Sequence, residues 1–160
     1  MTLAALPDRV LARVRRLPDA TLNRMVGLAV GLPAWSVLGI ALWLRPDPAG
    51  FGTHRQLGLG ACVVLAMTGV PCPMCGMTTT FSHLAHGHLV QGALTQPFGV
   101  VLFSLTVLAA GMGALDLVLG RGLWRQVLQR VAARESQIAL GITIGLLAGW
   151  IYKIVVVLSQ

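Results

Sequence analysis

The sequence predicts an all-α integral membrane protein: three transmembrane helices plus a re-entrant or interfacial helical hairpin that carries a cysteine motif. Composition is the first reason. Of 160 residues, 56% are hydrophobic and 11% charged, and the mean hydropathy is +0.78. A soluble domain carries about 25% charged residues, so the polar surface needed for solubility is missing. The second reason is three long apolar runs, 25–44, 97–119 and 138–158. Each has roughly the 20 residues that span a hydrocarbon core as a helix. The third is the stretch Thr68-Gly69-Val70-Pro71-Cys72-Pro73-Met74-Cys75-Gly76-Met77-Thr78-Thr79, a C-x-x-C pair bracketed by Pro and Gly within this apolar frame.

The elements follow in order, as one membrane domain over residues 1–160. Residues 1–24 read as a basic surface segment. Between Pro7 and Pro18, Val10, Leu11, Val14 and Leu17 share one helical face and Arg9, Arg13 and Arg16 surround the other. That pattern suits a helix lying on a membrane surface. The first span, 25–44, is too long for a signal-peptide core and lacks a small-residue cleavage pattern after it, so it is expected to persist as an anchor. It carries Gly27 and Gly31, a small-xxx-small pair, and Pro33. Residues 45–50, Arg-Pro-Asp-Pro-Ala-Gly, break the chain.

Residues 57–95 form the cysteine hairpin. Its apolar first part, 57–70, would extend only about 21 Å as a helix, short of a roughly 30 Å core. Residues 77–95 read as one amphipathic helix with Thr78, Thr79, Thr80, His83, His86 and His88. Spans 97–119 and 138–158 follow. The last holds Gly141, Gly145 and Gly149, two overlapping G-x-x-x-G steps that let another helix of this chain, a second copy or another membrane protein approach closely.

Eleven of the twelve basic residues are Arg, and nine of them cluster outside the spans, at 9–24 and 121–134. No aromatic interleaving or nucleic-acid motif accompanies them. They therefore predict a lipid-facing, positive-inside pattern rather than nucleic-acid binding. Both clusters are expected on the cytoplasmic side of a bacterial inner membrane, with the cysteine hairpin outside.

Cys72 and Cys75 admit three chemistries. A Cys2His2 site for zinc could draw on Cys72, Cys75, His83 and His86, because helical spacing from Cys75 brings the histidines toward one face; Cys62 is a further thiolate. A membrane thiol–disulfide oxidoreductase could use the C-x-x-C pair, though a relay needs a second pair and the chain offers only Cys62. A structural staple could close two of the three thiols. No catalytic set and no organic cofactor site is legible. The zinc deaminase signature fails because His54-Arg55-Gln56 lacks the required Glu, and c-type haem attachment fails because no His follows Cys75. Elsewhere, Asp116 is expected to pair with Arg121, Lys153 to snorkel to the interface, and His54 to be a solvated loop residue unless it reaches the cysteine turn.

These residues resemble the small bacterial membrane proteins of domain of unknown function 2752. The shared pattern is a leading Cys, then Thr-Gly, Cys-Pro-x-Cys-Gly-x-Thr, a helix with Gly, and a Pro opening the next span. Here it corresponds to Cys62, Thr68-Gly69, Cys72 to Thr78, Gly87, Ala93 and Pro97, within residues 54–105. Many members have Arg after the motif Thr, where this chain has Thr79. The histidines are outside the pattern. The resemblance implies that Cys62 belongs to the site. It supplies no activity. The expected function is a non-enzymatic structural or accessory membrane component with a cysteine-stapled or metal-binding hairpin, with a membrane thiol–disulfide oxidoreductase using the C-x-x-C pair as the alternative.

Overall fold

The computed structural model describes residues 18–159. The surface helix expected before Pro18 lies outside them. The described residues contain seven α-helices and no strand. They are α1 Asp19–Trp43, α2 Val63–Thr68, α3 Met77–Ala85, α4 Leu89–Thr95, α5 Pro97–Leu119, α6 Leu123–Ala132 and α7 Glu135–Leu158, with a 3-10 turn at Thr53–Leu57. Helices α1, α5 and α7 are long and apolar enough to cross a membrane. The cysteine segment lies between the first two of these.

Local chemistry sets the helix limits. Helices α1 and α7 start with an acidic residue in the first turn, Asp19 and Glu135, where the helix dipole favours negative charge. Both start earlier than the apolar runs at 25 and 138. Pro97 opens α5 at its first position, where the missing N–H costs nothing. Gly120 closes α5 in the left-handed conformation, φ 64°.

The core of the bundle is the seam between α1 and α5, and it is made of missing side chains. A Cβ on Gly113 would lie 2.7 Å from the Cα of Gly31 and 2.9 Å from the carbonyl oxygen of Gly27. The small-xxx-small pair of the first span thus admits the backbone of the second. Trp35 Nε1 ties the seam by donating to the Ala110 carbonyl at 3.0 Å.

Asp116, fully buried, does not pair with Arg121. Its carboxylate accepts the N–H groups of Leu123 (2.9 Å) and Trp124 (2.8 Å). It satisfies two of the orphan donors at the start of α6, an element that in the sequence shows only as an Arg cluster. Arg24, Arg121 and Arg125 gather at this end, where Arg125 meets Asp19 at 3.2 Å.

The cysteine segment covers the opposite end, where α1 finishes, α5 begins and α7 finishes. The helix expected over 77–95 is two helices, α3 and α4. The chain breaks at His86-Gly87-His88, with Gly87 at φ 80°. Helix α7 packs on α5 through Phe98, which faces Gly145 and Gly149, while no described residue lies within 4 Å of a Cβ on Gly141. The Tyr152 hydroxyl donates to the Leu94 carbonyl at 2.7 Å.

Candidate functional site

The segment begins with a polar floor. Thr53, Thr79, Thr80 and Ser82 are all buried. Thr53 and Thr79 share a hydrogen bond at 2.8 Å, Thr53 Oγ1 also accepts the Asp47 N–H, and Ser82 Oγ donates to the Leu44 carbonyl. These bonds fix α3 against the end of α1, so the turn that precedes α3 has a defined seat.

That turn carries the thiols. Cys75 N–H donates to the Cys72 carbonyl at 2.9 Å, closing a tight loop over the C-x-x-C pair. The flanking prolines present their carbonyls to distant elements: Trp150 Nε1 of α7 donates to Pro71 at 2.7 Å, and Gln96 Nε2, just before α5, donates to Pro73 at 3.3 Å. Gly76 then enters α3 at φ 89°, a conformation that favours glycine. A side chain there would also meet the Gly50 carbonyl oxygen at 2.9 Å and Lys153 Nζ at 3.2 Å.

Helix α2 delivers the third thiol. Cys62 precedes its first turn, and the Sγ atoms of Cys62, Cys72 and Cys75 all lie within 4.8 Å of one another. Cys72 and Cys75 are closest, at 3.3 Å, and all three are free thiols. They open onto a cleft of about 280 Å³ whose lining includes His54, Arg55, Met74, Thr78 and Thr79. His54 therefore belongs to the rim of the site, and its Nε2 contacts the Gly60 carbonyl at 3.1 Å.

The thiols differ in acidity. The N–H of Leu65 at the start of α2 lowers Cys62 from its ordinary 9.0 to about 7; burial opposes this, and hydrogen bonds from Cys75 and Cys72 assist it. Burial, followed by hydrogen bonding with Cys72 and Cys62, pushes Cys75 up to about 12. At neutral pH a half-formed thiolate thus sits against a thiol that keeps its proton. A soft cation binding at the cluster would have to displace the Cys75 proton.

His83 and His86 stand apart from this cluster. Their rings gather around His88, at centroid distances of 5.8 and 6.4 Å, and neither lines the cleft. Burial, with the charges of His88 and His86, holds His83 below its ordinary value. Among the described residues, the three cysteines are the only group of three or more candidate ligands whose atoms converge.

Lys153 does not snorkel. It is 2% exposed and donates to the carbonyls of Gly50 (3.0 Å) and Thr95 (3.2 Å) behind the cysteine turn. The sequence carried a signal for it: Lys153 is the one lysine of the chain and stands inside an apolar span, and intramembrane ionisable residues mark functional sites by default. Thr53 and Gln96 gave no such signal.

Residues 62–110 match the model of a family described as protein of unknown function (DUF2752). The match starts at Cys62, takes in the C-x-x-C turn, α3 and α4, and ends within α5. No curated protein and no solved structure matches the chain.

Proposed function

We propose that this chain is a non-enzymatic membrane component whose hairpin binds a thiophilic metal ion, zinc first, through Cys62, Cys72 and Cys75. The convergence of three Sγ atoms within 4.8 Å carries the reading. Zinc–sulfur bonds of about 2.3 Å set sulfurs about 3.8 Å apart in a tetrahedral site. Reaching that spacing asks for sulfur movements of about 1 Å or less. Thiolates also select Zn and Cu(I) over hard cations. The adjoining cleft, which His54 lines, would admit a fourth ligand. Metal analysis with thiol counting on detergent-purified protein tests the reading. One equivalent of metal, lost together with protection of the thiols on chelation, is expected. Three reactive thiols without metal in a zinc-supplemented preparation would sink it.

A second reading has its own observation. The 3.3 Å Cys72–Cys75 pair, with Cys62 near pKa 7 beside it, suits thiol–disulfide exchange. A Cys72–Cys75 disulfide in unreduced protein would favour it.

The Arg-rich end of the bundle is proposed as cytoplasmic and the cysteine end as facing outward across a bacterial inner membrane. Accessibility labelling of single cysteines introduced near Thr53, at the exposed Gln56, and at the exposed Gln129 in intact cells should separate the two ends. Labelling of both from one side would reject the arrangement.

A further inference from the structure

Lys153 is a buried basic residue with no carboxylate partner among the described residues. It projects from α7 into the seam between the Gly50 loop, the end of α4 and the cysteine turn. Nζ donates to two carbonyls, lies 5.9 Å from the Phe51 ring centroid and approaches to 3.2 Å of where a Cβ on Gly76 would be. Among the described residues no carboxylate lies within 4 Å of it. An ammonium has three donors, so two carbonyls leave part of its capacity unspent. Ionisable residues buried in a membrane protein pair with one another or with backbone carbonyls, because desolvation is costly otherwise, and they mark ion sites. The neighbouring group able to become an anion is the thiol cluster, one residue from Gly76.

Charge arithmetic connects the two. Three thiolates around a divalent ion leave one net negative charge. One ammonium nearby cancels it, and the loaded site becomes neutral as a whole. Without that ammonium, the cation lining the cleft is the exposed Arg55, whose attraction solvent screens, while Lys153 stands on the buried side next to Cys75. We propose that Lys153 is the counter-cation of the thiolate site, a positioning residue that lets the three cysteines bind a divalent soft metal in fully deprotonated form. This rests on the metal reading above. No electron moves in the binding step: each cysteine that ligates loses its proton to solvent and gains a metal–sulfur bond.

The test is a Cd²⁺ titration of the full chain in detergent, followed by the cadmium–thiolate charge-transfer absorption. Lys153→Gln keeps a hydrogen-bond donor and removes the charge; Lys153→Arg keeps the charge. Tyr152→Phe removes a neighbouring tie of the same helix. Groups that support metal ligands from outside are worth about 10–100-fold in affinity. Lys153→Gln is expected to weaken Cd²⁺ binding in that range, while Lys153→Arg and Tyr152→Phe bind within about threefold of the parent protein. Equal binding by Lys153→Gln would overturn the proposal. So would a loss in Lys153→Arg or Tyr152→Phe as large as that in Lys153→Gln, since geometry or helix docking would then explain it. If Lys153→Gln is not recovered folded, the other two variants decide: parent-like binding by both supports the role, and a tenfold loss in either overturns it. Failure of the unmodified protein to bind Cd²⁺ would remove the metal reading itself and this proposal with it.

Discussion

Replacing Gly113 with Ala should loosen the bundle at its tightest point. The new Cβ would stand 2.7 Å from Gly31 Cα and 2.9 Å from the Gly27 carbonyl oxygen. Carbon atoms prefer about 3.5–4.0 Å, so α1 and α5 must part by about 1 Å. Both obstacles are backbone, and no side chain can turn aside. Overpacking of this kind costs about 1–3 kcal/mol, and a rigid backbone contact belongs at the upper end. Alanine returns about 1 kcal/mol through helix propensity, for a net loss of about 2 kcal/mol. Gly111→Ala is the matched control on the same helix, with nothing within 4 Å of its Cβ, and should be neutral or stabilising. The assay is unfolding of both variants in mixed micelles, followed by tryptophan fluorescence. Equal stability of the two would refute the close-packed glycine seam.

Three further outcomes follow from the same contacts. Cys62, depressed from 9.0 to about 7, should alkylate with a midpoint near pH 7, while Cys75 stays unreactive until pH approaches 12; equal midpoints by mass spectrometry would contradict the asymmetry. The stability that Cys62 contributes as thiolate is present above its unfolded value and is lost as pH falls through 7. Asp116→Ala removes two hydrogen bonds to a charged cap and leaves buried N–H groups at the start of α6, so about 1–3 kcal/mol of stability should go; a thermal midpoint equal to the parent's would show that α6 needs no cap. Gly145→Leu would meet the Phe98 ring, 2.6 Å from the new Cβ, whereas Gly141→Leu meets no described residue. The first should therefore destabilise the monomer and the second should not, and a drop in oligomeric mass for Gly141→Leu alone would reveal a seam to a second copy.

The spans were legible because a bilayer demands long apolar runs. Their starts were not, since Asp19 and Glu135 lie within the helices and a hydropathy reading stops at charge. Helix α6 was hidden by its arginines, and the break between α3 and α4 by the regular spacing of its histidines. Cys72 and Cys75 declared themselves by spacing. Cys62 lies ten residues upstream at no diagnostic interval, and it joins the site only because α2 folds back. The fates of Asp116 and Lys153 were opaque for one physical reason. A long or charged side chain near a membrane boundary reads as interfacial, and only tertiary partners show that it is buried. Asp116 meets N–H groups seven and eight residues on, and Lys153 meets carbonyls from Gly50 and Thr95.

The central claim is that three thiolates share one metal ion. X-ray absorption at the zinc edge of reconstituted protein reads the ligand shell directly. The account predicts three sulfur neighbours at about 2.3 Å and one lighter atom at about 2.0–2.1 Å, with one sulfur fewer in Cys62→Ser. A shell of nitrogen and oxygen alone, or one unchanged by Cys62→Ser, would contradict it.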